Sequence, residues 1–266
     1  MTRVVFLGAG ASPGVPSLSC GFGCCNPDNP KNIRTRTSTI YEINGQRLLV
    51  DVSPDLRMQF LQNDIKYLDG ILITHGHFDH IGGIDELREI NRITKKALNV
   101  YAPGYVIKVV KHRYDYMVMN RWNNKDGSKC SYEAKGGIIA NTIKTNHIFE
   151  VNGIKIEGLK LLGHNVPSCG YIINNEIVHL ADFKELSASA EKRIAQIKPK
   201  LMVFPLTIID NHRYHLGLEK VLYYIDKFKP EHVVLNHMAS ECDYDYVNNH
   251  TPSNVEPAFD NLKLEW

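Results

Sequence analysis

The sequence has no apolar run near the roughly 18 residues that a membrane-spanning helix needs; the stretch 201–206 is typical of its longest. It also lacks a charge excess of either sign, with 31 Lys and Arg against 29 Asp and Glu and a formal net charge of +2. That near-neutrality argues against a protein that coats DNA and leaves room for a local phosphate site. Low-complexity tracts, internal repeats and linkers are absent. Cysteines are few, 6 in 266 residues. The apolar stretch at the start is too short for a secretory signal, so free thiols in a reducing cytoplasm are expected. With 43% hydrophobic and 23% charged residues, the composition excludes a disordered chain, a collagen and a coiled coil. What the chain has in quantity is histidine, 12 in all.

Hairpin signals recur along the chain. An Asn-Gly pair tolerates the positive φ of a tight two-residue turn. Asn44-Gly45 joins expected strands at 38–43 and 47–52, and Asn152-Gly153 joins 147–151 to 154–162. Asn174-Asn175 does the same between 169–173 and 176–181. Further strands are expected at 4–7, 70–74, 98–102, 201–205 and 232–236. Helices fall between them at 84–93, 103–114, 187–197 and 217–228. Ser53-Pro54 reads as the cap and first position of another, running to residue 62. This mixture does not follow the strict alternation of a parallel sheet. It predicts an α/β protein in which two mixed sheets pack together with helices outside. Gly8-Ala9-Gly10, after the first strand, looks like a dinucleotide loop. Pro13 and Pro16 interrupt the helix start that would hold a pyrophosphate, so a glycine loop at the lip of a site is the better reading.

The chemistry concentrates in one segment. An apolar strand, Ile71-Leu72-Ile73, runs into Thr74-His75-Gly76-His77-Phe78-Asp79-His80, followed by Ile81-Gly82-Gly83. Imidazoles and carboxylates are the ligands preferred by Zn²⁺, Mn²⁺ and Fe²⁺. His75 and His77, two apart, can converge on one ion, while Asp79 and His80 can turn to a second. The glycines let the backbone bend tightly around the cluster.

This segment is an H-x-H-x-D-H motif, and with it the chain resembles the metallo-β-lactamase superfamily. The superfamily's other positions are matched in order. Asp51 ends the strand Leu48-Leu49-Val50, His164 follows Leu162-Gly163, Asp182 follows Val178-His179-Leu180-Ala181, and His237 follows Val233-Val234-Leu235-Asn236. The resemblance implies a four-layer αββα sandwich, one domain over 1–266, with metals at one edge of the two sheets. Within the superfamily, residues 6–16, the cysteine loop and Asn32-Ile33-Arg34-Thr35-Arg36-Thr37-Ser38 are similar to the phosphoribosyl cyclic phosphodiesterases, and more loosely to tRNase Z. His212-Arg213-Tyr214-His215 resembles that branch's histidine loop, in which the matched position, His215, faces the scissile phosphate. His212 receives no role from the match.

The resemblance implies two divalent cations, Zn or Mn. His75, His77 and His164 would hold one, and Asp79, His80 and His237 the other, with Asp182 bridging. Asp79 would also orient the attacking water and take its proton. Asp51 would fix a ligand imidazole by a hydrogen bond. His215 would bind the phosphate or protonate the leaving oxygen, a task suited to a pKa near neutrality. The substrate so implied is a small nucleotide-like or ribose cyclic phosphodiester, or one derived from RNA. An RNA substrate calls for a gripping arm; the irregular segment 114–137, with Arg121, Lys125 and Lys129, reads as a plain surface excursion ahead of a lid or arm. The alternatives are a carbonyl hydrolase acting on a thioester, lactone or β-lactam, and an accessory protein of cofactor biosynthesis. The resemblance is compatible with a homodimer, and no membrane partner is expected. Members of this branch carry a structural zinc on a Cys-x-Cys-x-x-Cys loop with a His after the last motif. Here Cys20 and Cys25 stand at the outer positions, Phe22 fills the middle one, Cys24 is extra, and Cys242 rather than a His follows His237. Whether this loop binds zinc stays open.

Overall fold

The tight turns form where the backbone permits them. In a computed structural model, which describes residues 1–118 and 137–266, Asn44-Gly45, Asn152-Gly153 and Asn174-Asn175 all adopt positive φ at both positions. They close hairpins in two separate sheets. The first sheet contains β1 (Thr2–Gly8), β2 (Ser38–Ile43), β3 (Gln46–Val50), β4 (Gly70–Leu72), β5 (Leu98–Pro103) and β6 (Ile138–Ile143). The chain returns to it at the end as β15 (Leu262–Glu265), giving the order β15-β1-β2-β3-β4-β5-β6. The second contains β7 (Ile148–Val151), β8 (Ile154–Leu162), β9 (Ser168–Ile173), β10 (Ile177–His179), β11 (Glu185–Leu186), β12 (Leu201–Pro205), β13 (His232–Asn236) and β14 (Val255–Pro257). Its order is β11-β8-β9-β10-β12-β13-β14, with β7 also on β8. Both sheets are mixed. Pairing is antiparallel from β1 to β3 and parallel from β3 to β6, antiparallel from β8 to β10 and parallel from β10 to β14.

Side chains alternate along each strand, so the two faces of a sheet enter different cores. Val4 and Phe6 of β1, Leu48 and Val50 of β3, Tyr171 of β9 and Val203 of β12 meet in the layer between the sheets. Their neighbours Val5, Leu7 and Leu49 point outward to α1 (Leu56–Gln62), α2 (Phe78–Ile81), α3 (Leu87–Thr94) and α4 (Gly104–Arg113). On the far side, Met202, Phe204, Val233 and Leu235 pack on α5 (Ala188–Ala195), α6 (Leu218–Phe228) and α7 (Tyr244–Asn249). The four layers are therefore helix, sheet, sheet, helix, as the sequence implied. Strands covered on both faces read as continuous apolar runs.

Several local readings shift. The first helix begins at Leu56 rather than after Ser53, because Ser53 Oγ accepts from Asp55 N at 3.0 Å in a turn. Asp55 does not cap the helix; its carboxylate takes Arg36 N at 2.8 Å. The strand expected at 70–74 pairs only to Leu72, since Thr74 N donates to the Asp51 side chain instead of to a neighbouring strand. The helix expected at 84–93 opens as a 3₁₀ turn, Ile84–Glu86, before α3. The glycine loop makes no helix: Gly10 N bonds Thr35 O at 2.7 Å and Ala11 N bonds Met238 O at 3.1 Å. Arg121, Lys125 and Lys129 of the candidate arm lie outside the described residues.

The segment bearing the histidine motif depends on Gly83. Its N–H donates to Val52 O at 3.0 Å, and a Cβ there would stand 2.0 Å from Ser53 O. Neither backbone can move without pulling on Asp51 or His80. Gly83→Ala should lower stability by at least about 1–3 kcal/mol; a wild-type urea midpoint would contradict this contact.

Candidate metal centre

The chemistry-bearing residues lie just beyond the C-terminal ends of strands, where a crevice opens at the edge of the sandwich. Asp51 follows β3, the histidine segment follows β4, His164 follows β8, Asp182 follows β10, Thr207 follows β12 and His237 follows β13. Asp51 and His237 hold left-handed backbone, with φ of 62° and 58°. Non-glycine residues adopt such angles at a cost, and they cluster where surrounding structure holds a site.

Two groups of donor atoms converge, and within each the atoms lie within 4.8 Å of one another. The first is His75, His77, His164 and Asp182. His75 Nε2 and His164 Nε2 face His77 Nδ1 at 3.0 and 3.2 Å, and Asp182 Oδ2 stands 4.0 and 3.8 Å from the same two Nε2 atoms. The second is Asp79, His80 and His237. Asp79 Oδ2 lies 3.3 Å from His80 Nε2 and 3.2 Å from His237 Nε2. Asp182 lies between the groups: it belongs to the first, and its Oδ1 is 3.4 Å from Nδ1 of His237 in the second, the ring nitrogen that does not face Asp79. Every ligand position expected from the sequence is thus brought together.

Behind the donors, other groups set the rings. Asp51 accepts from Thr74 N and Thr74 Oγ1, both at 2.8 Å, and from His80 Nδ1 at 2.6 Å. That bond keeps a proton on Nδ1 and makes Nε2 the nitrogen available to a cation. Thr207 Oγ1 lies 3.0 Å from His237 Nδ1 and 3.3 Å from His215 Nδ1. Lys184 Nζ reaches His212 O at 2.6 Å and His215 O at 3.3 Å, tying the histidine loop to the segment after Asp182. Sequence reasoning missed Thr74, Lys184 and Thr207. Thr74 adjoined the motif; the other two carried no spacing signal.

Electrostatics prepare the cluster for a cation. Burial holds His75 well below its ordinary pKa and lowers His77 and His164. Burial would also raise both carboxyls, but the surrounding imidazoles hold Asp79 and Asp182 below the usual carboxylate range. His80 and His237 shift up against burial, His80 because of Asp79 and Asp51, and His237 because of Asp182 and Asp79. Buried His80 Nε2 and Asp182 Oδ1 have no hydrogen-bond partner. Buried polar atoms are rarely left so, and a cation satisfies both. The residues therefore fit a metal.

A cavity of about 480 Å³ opens over the cluster, lined by His77, Asp79, His164, Asp182, His215 and His237 among others. Ala11, Ser12 and Pro13 form part of its wall, so the glycine loop does sit at the lip. His212 also lines it. The expectation that His215 titrates near neutrality is not met: burial pushes it down to about 4. His179 is structural, buried between the sheets with Nδ1 2.7 Å from Tyr41 Oη.

The cysteine loop forms no comparable cluster among the described residues. Cys20 Sγ contacts Ser17 Oγ at 3.0 Å and Ser240 Oγ at 3.1 Å, Cys25 Sγ donates to Ser240 O at 3.4 Å, and Cys242 Sγ donates to Leu206 O at 3.3 Å.

Fold and cluster together define a protein of the metallo-β-lactamase fold with a candidate metal centre. The chain belongs to the beta-lactamase superfamily, whose domain model matches residues 46–238. It is 31% identical over 238 residues to an octanoyltransferase of Porphyromonas gingivalis, covering 89% of this chain and 46% of that protein. It is 29% identical over 133 residues to coenzyme PQQ synthesis protein B of Rhodopseudomonas palustris, covering 45% of this chain and 42% of that one. The chain thus spans less than half the length of these curated relatives. Among solved structures it is similar to a diphosphatase of the PhnP family, with 25% identity and a TM-score of 0.86 over 100% of this chain and 98% of that one. The fold also matches Zn²⁺-bound PqqB from Methylobacterium extorquens (19% identity, TM-score 0.76, 99% and 100% covered) and human tRNase Z, short form (16%, 0.70, 99% and 98%).

Asp51→Asn should turn an amide toward His80 Nδ1 and disturb the tautomer that frees Nε2. Loss of such a supporting bond weakens metal affinity about 10–100-fold. Zinc titration of the metal-free variant measures it, and wild-type affinity would remove Asp51 from this role.

Proposed function

We propose that the protein is a dinuclear metal-dependent phosphodiesterase acting on a small, nucleotide-like or cyclic phosphodiester. The observation that carries this reading is the pair of adjacent donor groups, with Asp182 in the first lying 3.4 Å from His237 of the second and His215 on the wall of the same cavity. The similarity to a PhnP-family diphosphatase along both chains supports it. His75, His77 and His164 would hold one ion, Asp79, His80 and His237 the other, and Asp182 both. Two divalent cations held there, Zn or Mn, would acidify a water and neutralise charge on phosphoryl oxygens.

The chain's own groups do the rest. Asp79 uses Oδ2 toward His80 and His237, which leaves Oδ1 to orient the attacking water and hold its proton. Asp51 keeps His80 turned toward the cluster. Burial holds His215 below the ordinary histidine range, which favours a hydrogen-bond donor to a phosphoryl oxygen over an acid for the leaving group. RNA is a larger substrate open to the same chemistry. The described cysteines are free, which supports a cytoplasmic setting.

A second reading, an acyl thioester hydrolase, is favoured by the relative named octanoyltransferase. This chain covers 46% of that protein, so the named activity can reside in the unmatched remainder. A panel of bis(4-nitrophenyl) phosphate, a ribose cyclic phosphate, nitrocefin and a lactoylglutathione-type thioester separates the readings. Chelator-sensitive turnover of the phosphodiesters is expected. Turnover of the thioester alone would overturn the phosphodiesterase reading.

Two substitutions refine the expectation. His215→Ala should retain metal and lose about 10²–10³-fold in kcat, the usual loss for one donor to a developing oxyanion. The penalty should be similar for a 4-nitrophenyl ester and for a ribose cyclic phosphate, because the donor faces the phosphoryl oxygen. A loss confined to the poorer leaving group would make His215 a general acid instead. Asp182→Ala leaves two cations facing each other without the shared carboxylate. It should lower occupancy at both positions and abolish turnover; retention of both ions at the wild-type rate would show that Asp182 does not bridge.

A further inference from the structure

Thr207 stands between two imidazoles, and its hydroxyl has a single proton to give. His237 Nδ1 is 3.0 Å away and His215 Nδ1 is 3.3 Å away. Each of these nitrogens also has Asp182 in reach, at 3.4 Å for His237 and 3.9 Å for His215, but only the contacts to Thr207 have hydrogen-bond geometry. The protons along this chain are not independent. If His237 offers Nε2, the nitrogen beside Asp79, to a cation, its one ring proton resides on Nδ1. That N–H donates to Thr207 Oγ1. A hydroxyl oxygen can accept twice, but among the described residues Thr207 Oγ1 has no other acceptor for its own proton, so that proton goes to His215 Nδ1. His215 Nδ1 must therefore carry a lone pair.

We propose that Thr207 is a positioning residue that fixes the tautomer of His215, leaving the ring proton on Nε2. No protein group among the described residues takes that nitrogen, and the ring lines the cavity over the cluster. Nε2 is thereby presented as a donor, the polarity that an anionic phosphoryl oxygen needs. The other tautomer would set a lone pair against that oxygen. Lys184 holds the same loop by the main-chain oxygens of His212 and His215. The loop is thus placed by Lys184 and the ring's protonation is set by Thr207. Without Thr207, the nearest acceptor for a proton on Nδ1 is Asp182 Oδ2 at 3.9 Å, and the ring can reverse. The inference rests on His237 being a cation ligand and on His215 facing substrate.

The tautomer can be read without turnover. Zinc-loaded protein carrying ¹⁵N-histidine gives two-bond ¹H–¹⁵N correlations, and a His215→Asn variant identifies the ring. Wild-type protein should show Nε2 protonated and Nδ1 not. Thr207→Ser should keep that pattern, whereas Thr207→Val should gain the Nδ1-protonated form. On a phosphodiester, Thr207→Val should lose about 2- to 10-fold in kcat/KM, the weight of one hydrogen bond, with Thr207→Ser restoring the rate. A wild-type ring protonated on Nδ1, or a Thr207→Val ring unchanged, would overturn the proposal. The wild-type and Thr207→Ser spectra suffice should the valine variant not fold. A protein that turns over no phosphodiester would sink the functional reading while the spectra still decide the role of Thr207.

Discussion

Buried charge whose hydrogen bonding the protein leaves incomplete is the constraint on which the structure turns. Asp182 and Asp79 are 2% and 3% exposed, yet the groups around them hold both as carboxylates. His75 is fully buried and held neutral, its Nε2 turned toward His77. Removing such groups from water is expensive unless something pairs with them. The orphaned Asp182 Oδ1 and His80 Nε2 show that the protein itself does not complete the pairing. A cation would do so, and the crowding of these buried groups would become the affinity of the site.

The sandwich supplies the rigidity that this crowding requires. Donors come from the ends of strands in both sheets, so no single hairpin can carry the site. The layer of Phe6, Leu48, Tyr171 and Val203 fixes one sheet against the other. Tyr171 also crosses between them, donating to Ile73 O at 2.7 Å just before the histidine segment. Asp51 and His237 absorb the remaining mismatch in left-handed backbone. Supporting hydrogen bonds from Asp51 and Thr207 then decide which nitrogen of each ring faces inward, which makes the cluster directional as well as dense.

Much of this was legible from residues in a line. Strands such as 201–205 and 232–236 read as continuous apolar runs, and Asn-Gly pairs marked the hairpins because their local backbone decides the turn. The ligands were legible because each follows a strand, a property of sequence order. What depended on distant partners was not. Asp55 fails to cap its helix because Arg36 takes its carboxylate. His215 titrates low because of burial that no spacing announces. Thr207 and Lys184 act on a loop reached only through the fold. Cys20 and Cys25, close in sequence, bond to Ser17 and Ser240, Cys242 bonds to Leu206, and among the described residues the thiols form no metal-holding group. Short late elements, α7, β14 and β15, have too few residues for a periodic signal.

The central claim is that one chain assembles two cation positions sharing Asp182. Its most direct test is the stoichiometry of zinc or manganese bound by metal-free wild-type protein at equilibrium, read by elemental analysis after dialysis. The account predicts saturation at two ions per chain. Saturation at a single ion, or binding no tighter than that of a denatured control, would contradict it.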